Sequence, residues 1–202
     1  MRPLSFAILH ALLALGTPSC ALPPPPTEPR PKTTATDAPR PEHWAKPIEG
    51  KAGLDNFYQV DRALYRGAQP EDEGFPVLKT MGIRTVLNLR TWHSDRSECR
   101  EVGLDYVKIS VQPWEAEEEE VVDFLRVVMN PDRQPVFVHC KHGADRTGMM
   151  TAVYRIIVQD WSKEEAIKEM TEGGYGYHKI WKGIVKYVRN LDVDRLRKKM
   201  AR

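Results

Sequence analysis

The stretch His139-Cys140-Lys141-His142-Gly143-Ala144-Asp145-Arg146-Thr147-Gly148 decides the fold, because it joins a predicted strand to a predicted helix. The strand is the short apolar run Pro135–His139, and the helix runs from Arg146 through Val158. Strands that alternate with helices form a mostly parallel, buried sheet, and functional residues gather at the carboxyl ends of its strands. The stretch therefore predicts an α/β domain with a functional loop at that edge.

The loop itself has the composition of an anion-binding site. Five residues separate Cys140 from Arg146, and a loop of that length can wrap one tetrahedral phosphate with its backbone N–H groups pointing inward. The dipole of the following helix favours both a phosphate and a cysteine thiolate at the same place. Gly143 and Gly148 permit close approach of the backbone. Arg146 can hold two phosphate oxygens with its planar guanidinium, which a lysine cannot do.

The remaining sequence extends the same alternating pattern in both directions. Short apolar and β-branched runs predict strands, and apolar residues at helical spacing, bounded by glycine, proline or capping residues, predict helices. The predicted strands are 58–60, 63–66, 85–89, 106–109 and 135–139, and the predicted helices are 69–81, 94–103, 117–129, 146–158 and 162–173, with one or two more at the C-terminus. We expect a single α/β domain with a mostly parallel four- to five-stranded sheet flanked by helices.

The N-terminus differs in composition from this domain. Arg2 precedes the apolar stretch Leu4–Leu15, which is too short to span a bilayer but matches the hydrophobic region of a secretory signal. We expect residues 1–21 to be a signal peptide, or a lipoprotein signal if Cys20 becomes the lipidated end. Residues 22–50 are rich in proline and predict a disordered linker, and residues 51–202 form the predicted domain. The expected location is the periplasm, either soluble or as a membrane-anchored lipoprotein.

Charge and cysteine content restrict the function classes. The formal net charge of +2 gives no reason to expect nucleic acid as a partner. The three cysteines, Cys20, Cys99 and Cys140, do not form a disulfide framework once Cys20 is removed or lipidated. An unpaired cysteine kept in an oxidising compartment favours a reactive role for Cys140. We expect a monomer.

The segment His139–Thr147 carries a family resemblance, with His-Cys, five residues, Arg and then Thr. It resembles the signature of the cysteine-based protein tyrosine phosphatase superfamily, and the short loop is most similar to the dual-specificity branch. Leu64–Gly67, Gly82–Arg90 and Gly173–Gly176 resemble small bacterial members, some of them exported. The resemblance covers about residues 56–190.

The resemblance implies a phosphocysteine intermediate and no metal or other cofactor. By position, Cys140 attacks phosphorus and Arg146 binds the phosphoryl oxygens. His139 tunes the thiolate, and the Thr147 hydroxyl donates to it in the second step. The backbone amides that line the phosphate site belong to Lys141, His142, Gly143, Ala144, Asp145 and Arg146.

The general acid is the open question. The family supplies an Asp from a loop before the nucleophile, but the corresponding loop here, Ser110–Ala116, contains no Asp. Glu115 is the only carboxylate in that loop and is the predicted acid. Asp95 is the alternative donor, although it is also the kind of carboxylate that satisfies free N–H groups at a helix start, and we prefer that second interpretation.

Asp145 bears on the substrate, since a carboxylate in the loop opposes a phosphate dianion unless it points outward or pairs with Lys141 or His142. It disfavours highly phosphorylated small molecules. The resulting prediction is a protein phosphatase that acts on a phosphorylated protein substrate, hydrolysing phosphotyrosine with phosphoserine and phosphothreonine as side activities.

Two other functions fit parts of the pattern. A rhodanese-like sulfurtransferase also uses a cysteine in an anion-binding loop, but the five-residue spacing and the Arg146-Thr147-Gly148 ending disfavour it. A phosphate-recognition module without turnover would follow if the general acid is missing.

Overall fold

The computed structural model describes residues 39–112 and 116–201 of the chain. The predicted signal peptide with Cys20, most of the proline-rich linker and the predicted general acid Glu115 lie outside the described residues. No helix within the described part is long and apolar enough to span a bilayer.

The described residues form one sheet of six strands in the spatial order β1-β2-β3-β6-β4-β5. Strands β3, β6, β4 and β5 are parallel, whereas β1 and β2 add antiparallel pairs at one edge. The mostly parallel α/β sheet is therefore confirmed, with one strand more than the upper limit predicted. The strands are β1 (Lys46–Pro47), β2 (Tyr58–Gln59), β3 (Leu64–Gly67), β4 (Thr85–Asn88), β5 (Asp105–Lys108) and β6 (Val136–His139).

Seven α-helices flank the sheet in the described part of the chain, at the places where the sequence predicts them. Ser162 begins α5 by accepting a hydrogen bond from the backbone N–H of Glu165 at 3.1 Å. Gly103 ends α2 in the left-handed conformation that favours glycine. The helices are α1 (Gly74–Thr80), α2 (Arg96–Val102), α3 (Glu118–Met129), α4 (Asp145–Val158), α5 (Lys163–Glu172), α6 (Lys182–Arg189) and α7 (Val193–Met200).

The folded part begins before residue 51, inside the segment predicted to be linker. Trp44 and Ala45 are buried, and β1 pairs with β2 immediately after them. Arg40 donates hydrogen bonds to the backbone oxygen of Gly173 at 2.6 Å and to the Tyr175 hydroxyl at 2.7 Å. The proline content of the preceding residues hid this short apolar segment from the sequence analysis.

Strand β6 occupies the middle of the sheet and is buried on both faces. Val136 and Val138 pack in the larger core, which also holds apolar residues of α3 to α7, and Phe137 packs in a second core on the other face with residues of α1 and α2. This alternation follows from the two-residue period of a strand. Because β6 lies between β3 and β4, the residue that follows it, Cys140, lies in the centre of the carboxyl edge of the sheet.

Candidate active site

The loop between β6 and the first turn of α4 carries Cys140 and Arg146 at the carboxyl edge of the sheet. Cys140 follows the last residue of β6 and is 3% exposed, and α4 begins at Asp145. The first amides of a helix have no intrahelical acceptor, and the helix dipole adds partial positive charge there. The loop and the first turn of α4 therefore offer inward N–H donors to an anion beside the Cys140 sulfur.

Gly143 fixes the path of this loop. Its φ is +69°, and a Cβ atom there would lie 2.4 Å from the backbone carbon of Gly67 at the end of β3. Only glycine permits both the left-handed conformation and this backbone-to-backbone contact. Asn56 supports the neighbouring residue, since its side-chain amide donates to the His142 carbonyl at 2.8 Å.

Arg146 lies at the same sheet edge as Cys140. Its Nη1 atom is 3.5 Å from the Leu89 carbonyl and 3.4 Å from the Val111 carbonyl, which follow β4 and β5. These contacts are long for N–H···O hydrogen bonds. They orient the side chain across the ends of the strands, and its other N–H groups form no hydrogen bond to a described residue.

Asp95 lies in the interior rather than in the phosphate loop. It is 1% exposed, and its carboxylate contacts His139 Nε2 at 3.2 Å and His93 Nε2 at 2.8 Å. The His139 contact has the distance of an ion pair but not the angle of a hydrogen bond. Asn88 also donates a short hydrogen bond to the carboxylate.

Burial alone would raise the pKa of Asp95, but the His139 and His93 imidazoles outweigh it and hold the pKa below its ordinary value. The residue occupies the position before α2, yet its side chain makes no capping hydrogen bond. The preferred interpretation of Asp95 as a helix-start cap is therefore wrong. The carboxylate instead holds the imidazole that precedes Cys140.

Asp145 points away from the phosphate loop, but its partner is one that the sequence analysis did not name. Its two oxygens accept from the backbone N–H of His178 at 3.0 Å and contact His178 Nδ1 at 2.8 Å. The sequence left pairing with Lys141 or His142 open as an alternative to an outward orientation. Because His178 lies 33 residues away, between α5 and α6, local sequence patterns gave no signal for this pair.

Arg66 is a second residue that the sequence analysis missed as part of the site. It is 1% exposed, and its Nη2 donates to the Gly143 carbonyl at 2.7 Å. In the sequence, the segment Leu64–Gly67 stands out by its family resemblance and overlaps the predicted strand 63–66. The available signal is a charged residue, Arg66, at the end of a predicted strand whose other residues are apolar or aromatic.

Three further observations complete the surroundings of the loop. The Thr147 hydroxyl is buried and has no hydrogen-bond partner among the described residues. Burial, with Asp95 and Glu98 nearby, raises the pKa of the other described thiol, Cys99, to about 12, so that thiol stays protonated. Within residues 39–112 and 116–201, no group of His, Cys, Asp and Glu side chains is arranged to hold a metal ion.

Known proteins are similar to this chain in both sequence and fold. Residues 46–180 match the family described as DSP-PTPase phosphatase fused to NAD+ kinase. The dual specificity protein phosphatase TpbA of Pseudomonas aeruginosa is 33% identical over 202 residues, which is 100% of this chain and 85% of that protein.

Solved structures agree with the sequence comparison. A crystal structure of P. aeruginosa TpbA has a TM-score of 0.71 at 33% identity and covers 80% of this chain and 98% of that one. A cysteine-to-serine variant of TpbA in complex with phosphotyrosine has the same TM-score of 0.71 at 32% identity, covering 81% and 99% of the two chains. The chain therefore belongs to the cysteine-based protein tyrosine phosphatase superfamily and is an enzyme of its dual-specificity branch.

Proposed function

We propose that this enzyme hydrolyses phosphotyrosine in protein substrates, with phosphoserine and phosphothreonine as secondary substrates, through a phosphocysteine intermediate. The proposal is supported by the loop between β6 and α4, which carries Cys140 and Arg146 and lies at the carboxyl edge of the sheet. The complex of a TpbA variant with phosphotyrosine supports the choice of substrate. Membership of the phosphatase superfamily disfavours the alternative of sulfur transfer.

The chemistry requires two displacements at phosphorus. In the first, the Cys140 thiolate forms the S–P bond while the P–O bond to the tyrosine oxygen breaks and a general acid protonates the leaving oxygen. In the second, water forms a P–O bond as the S–P bond breaks, and the deprotonated general acid takes a proton from that water. Inorganic phosphate is released, and the Cys140 thiolate returns with the Thr147 hydroxyl as hydrogen-bond donor. Arg146 and the loop amides from Lys141 to Arg146 stabilise the phosphoryl oxygens in both steps. No metal or other cofactor takes part.

His139 and Asp95 act on Cys140 rather than on the phosphoryl group. His139 is fully buried, and its Nδ1 lies 3.3 Å from the Cys140 carbonyl. The ionised Asp95 orients its ring from the other side. We propose that the pair holds Cys140 in position and tunes the thiolate.

Glu115 remains the proposed general acid. Asp95 is enclosed by His139, His93 and Asn88, and the Asp145 carboxylate is held by His178. Neither carboxylate is free to approach a leaving oxygen. Glu115 belongs to the segment that follows Val111, whose carbonyl contacts Arg146.

The location of the enzyme is also a proposal. The apolar stretch Leu4–Leu15 and the small residues after it support export to the periplasm. The mature protein is either soluble or tethered to the membrane through a lipidated Cys20 and the proline-rich segment before Arg40.

For the nucleophile, we expect Cys140→Ser to retain the fold and phosphate binding but to lose nearly all turnover, because a serine hydroxyl is scarcely ionised near neutral pH. The measurement is phosphate release from a phosphotyrosine peptide. Cys99→Ser is the matched control and keeps its activity, since the Cys99 thiol lies outside the loop. Appreciable turnover by Cys140→Ser would exclude the phosphocysteine mechanism.

For the general acid, we expect Glu115→Gln to slow phosphotyrosine hydrolysis by roughly 10²-fold or more while barely affecting a nitrophenyl phosphate. The phenol of tyrosine has a pKa of about 10 and needs a proton to leave, whereas nitrophenolate does not. The variant also loses the alkaline limb of the pH–rate profile, because that limb reports deprotonation of the acid.

Asp95→Asn and Asp145→Asn are the controls for this experiment. Asp95→Asn should slow both substrates alike, since Asp95 acts through His139, and Asp145→Asn should keep both pH limbs. A selective loss on phosphotyrosine in either variant, with Glu115→Gln unaffected, would assign the acid to that residue instead.

For export, we expect mass spectrometry of the protein isolated from its host to show a mature N-terminus after removal of the first 19 to 21 residues. Diacylglycerol on Cys20 identifies a lipoprotein, and a free Leu22 identifies a soluble periplasmic enzyme. An intact Met1 in the cytosolic fraction would contradict both routes.

A further inference from the structure

Arg66 is a buried arginine directly beneath the catalytic loop. It occupies the third position of β3, and its Nη2 donates to the Gly143 carbonyl at 2.7 Å. The guanidinium carbon lies 3.7 Å from the centre of the Tyr175 ring, a stacked cation–π contact. Its Nε has no hydrogen-bond partner among the described residues. The side chain is therefore held by one carbonyl and one aromatic face.

The charge of Arg66 has no carboxylate partner in the described part of the chain. The carboxylate that influences it is that of Glu169, but both oxygens of Glu169 accept hydrogen bonds from Arg155, each at 2.8 Å. The Oε1 atom of Glu169 also accepts hydrogen bonds from the Ala45 N–H and the Tyr175 hydroxyl. Glu169 is thus paired with Arg155, and Arg66 forms no ion pair with a carboxylate among the described residues.

The position of Arg66 adds to the positive potential at the start of α4. A Cβ atom at Gly148, in the first turn of that helix, would lie 3.8 Å from Arg66 Nη2. The first turn is already the positive end of the helix dipole. Burial lowers the pKa of the Arg66 guanidinium, while Tyr175, Glu169 and Cys140 act in the opposite direction. The ordinary pKa of arginine is high enough for the group to keep its proton.

An unpaired buried charge is costly, so a nearby anion must compensate it when the site is working. We propose that Arg66 is a positioning residue of the catalytic loop that stabilises the Cys140 thiolate and the bound phosphoryl group by its buried charge, and holds the Gly143 carbonyl turned away from them. The inference rests on the proposed role of Cys140. It assigns a second arginine to the loop. Arg66 acts through its charge and its hydrogen bond to Gly143 and does not touch the substrate.

Other titratable groups lie around the loop, and substitution of Arg66 alone leaves each of them in place. Those that pack around the loop come from the segment after β4, from β6, from the loop and α4, and from α5 and the residues after it. They are Asp95, His139, Lys141, His142, Asp145, Arg146, Glu169, Tyr175 and His178.

The test measures the pH dependence of Cys140 alkylation by iodoacetamide, followed by peptide mass spectrometry, because only the thiolate reacts. Arg66→Met keeps about the same side-chain size but removes the charge. In this variant we expect the midpoint of the alkylation pH profile to move to higher pH by about one unit or more, because a nearby opposite charge usually has an effect of that size. Protection of Cys140 by inorganic phosphate should weaken about tenfold, the equivalent of that shift. Arg66→Lys should move the midpoint less than Arg66→Met.

Tyr175→Phe is the matched control, since it keeps the ring under Arg66 and loses only the hydroxyl bonds to Glu169 and Arg40. We expect a lower melting temperature and an unchanged alkylation midpoint. If Arg66→Met does not fold, Arg66→Gln carries the same test, because glutamine is neutral yet can still donate to Gly143. A folded neutral variant with the wild-type midpoint would overturn the proposal and leave Arg66 a purely structural residue.

Alkylation requires no turnover, so the outcome is separable from the proposed function. A shifted midpoint in an enzyme that releases no phosphate would support the role of Arg66 and exclude the phosphatase proposal. Normal phosphate release with an unshifted midpoint would support the phosphatase proposal and exclude the proposed role of Arg66.

Discussion

The backbone contact between Gly143 and the end of β3 is the constraint on which the site depends. The loop after β6 must turn tightly enough to point its amides at one anion, and it does so by packing against Gly67 where no Cβ atom fits. Arg66 donates a hydrogen bond to the Gly143 carbonyl, and Asn56 donates one to the His142 carbonyl. The loop is thereby preorganised before a phosphate arrives, which is the condition for effective electrostatic stabilisation.

Charge is distributed around this loop so that positive potential remains where the phosphate is expected. Three carboxylates around the loop each have a partner: Asp95 has His139 and His93, Asp145 has His178, and Glu169 has Arg155. Arg66, Arg146 and the start of α4 are left without such partners among the described residues. The proposed mechanism places a thiolate or a phosphoryl group there as the anion that balances these charges.

Local patterns in the sequence were sufficient for the fold and for the loop. Short buried runs, the glycine after α2 and the cap at Ser162 predicted the parallel sheet and its helices, because propensity and capping act over a few residues. The pairing of Asp145 with His178 and the contact of Asp95 with His139 join distant segments, so a single sequence could not predict them. Strand β1 was missed because its two residues follow a proline-rich segment.

The central claim is that Cys140 carries the phosphoryl group between the two steps. Rapid mixing of the enzyme with a phosphotyrosine peptide labelled with radioactive phosphate, followed by quenching in denaturant and peptide mass spectrometry, tests it most directly. We predict label on the peptide that contains Cys140, appearing before free phosphate and disappearing as the substrate is consumed. Phosphate release without any labelled Cys140, or with the label on another residue, would contradict the account.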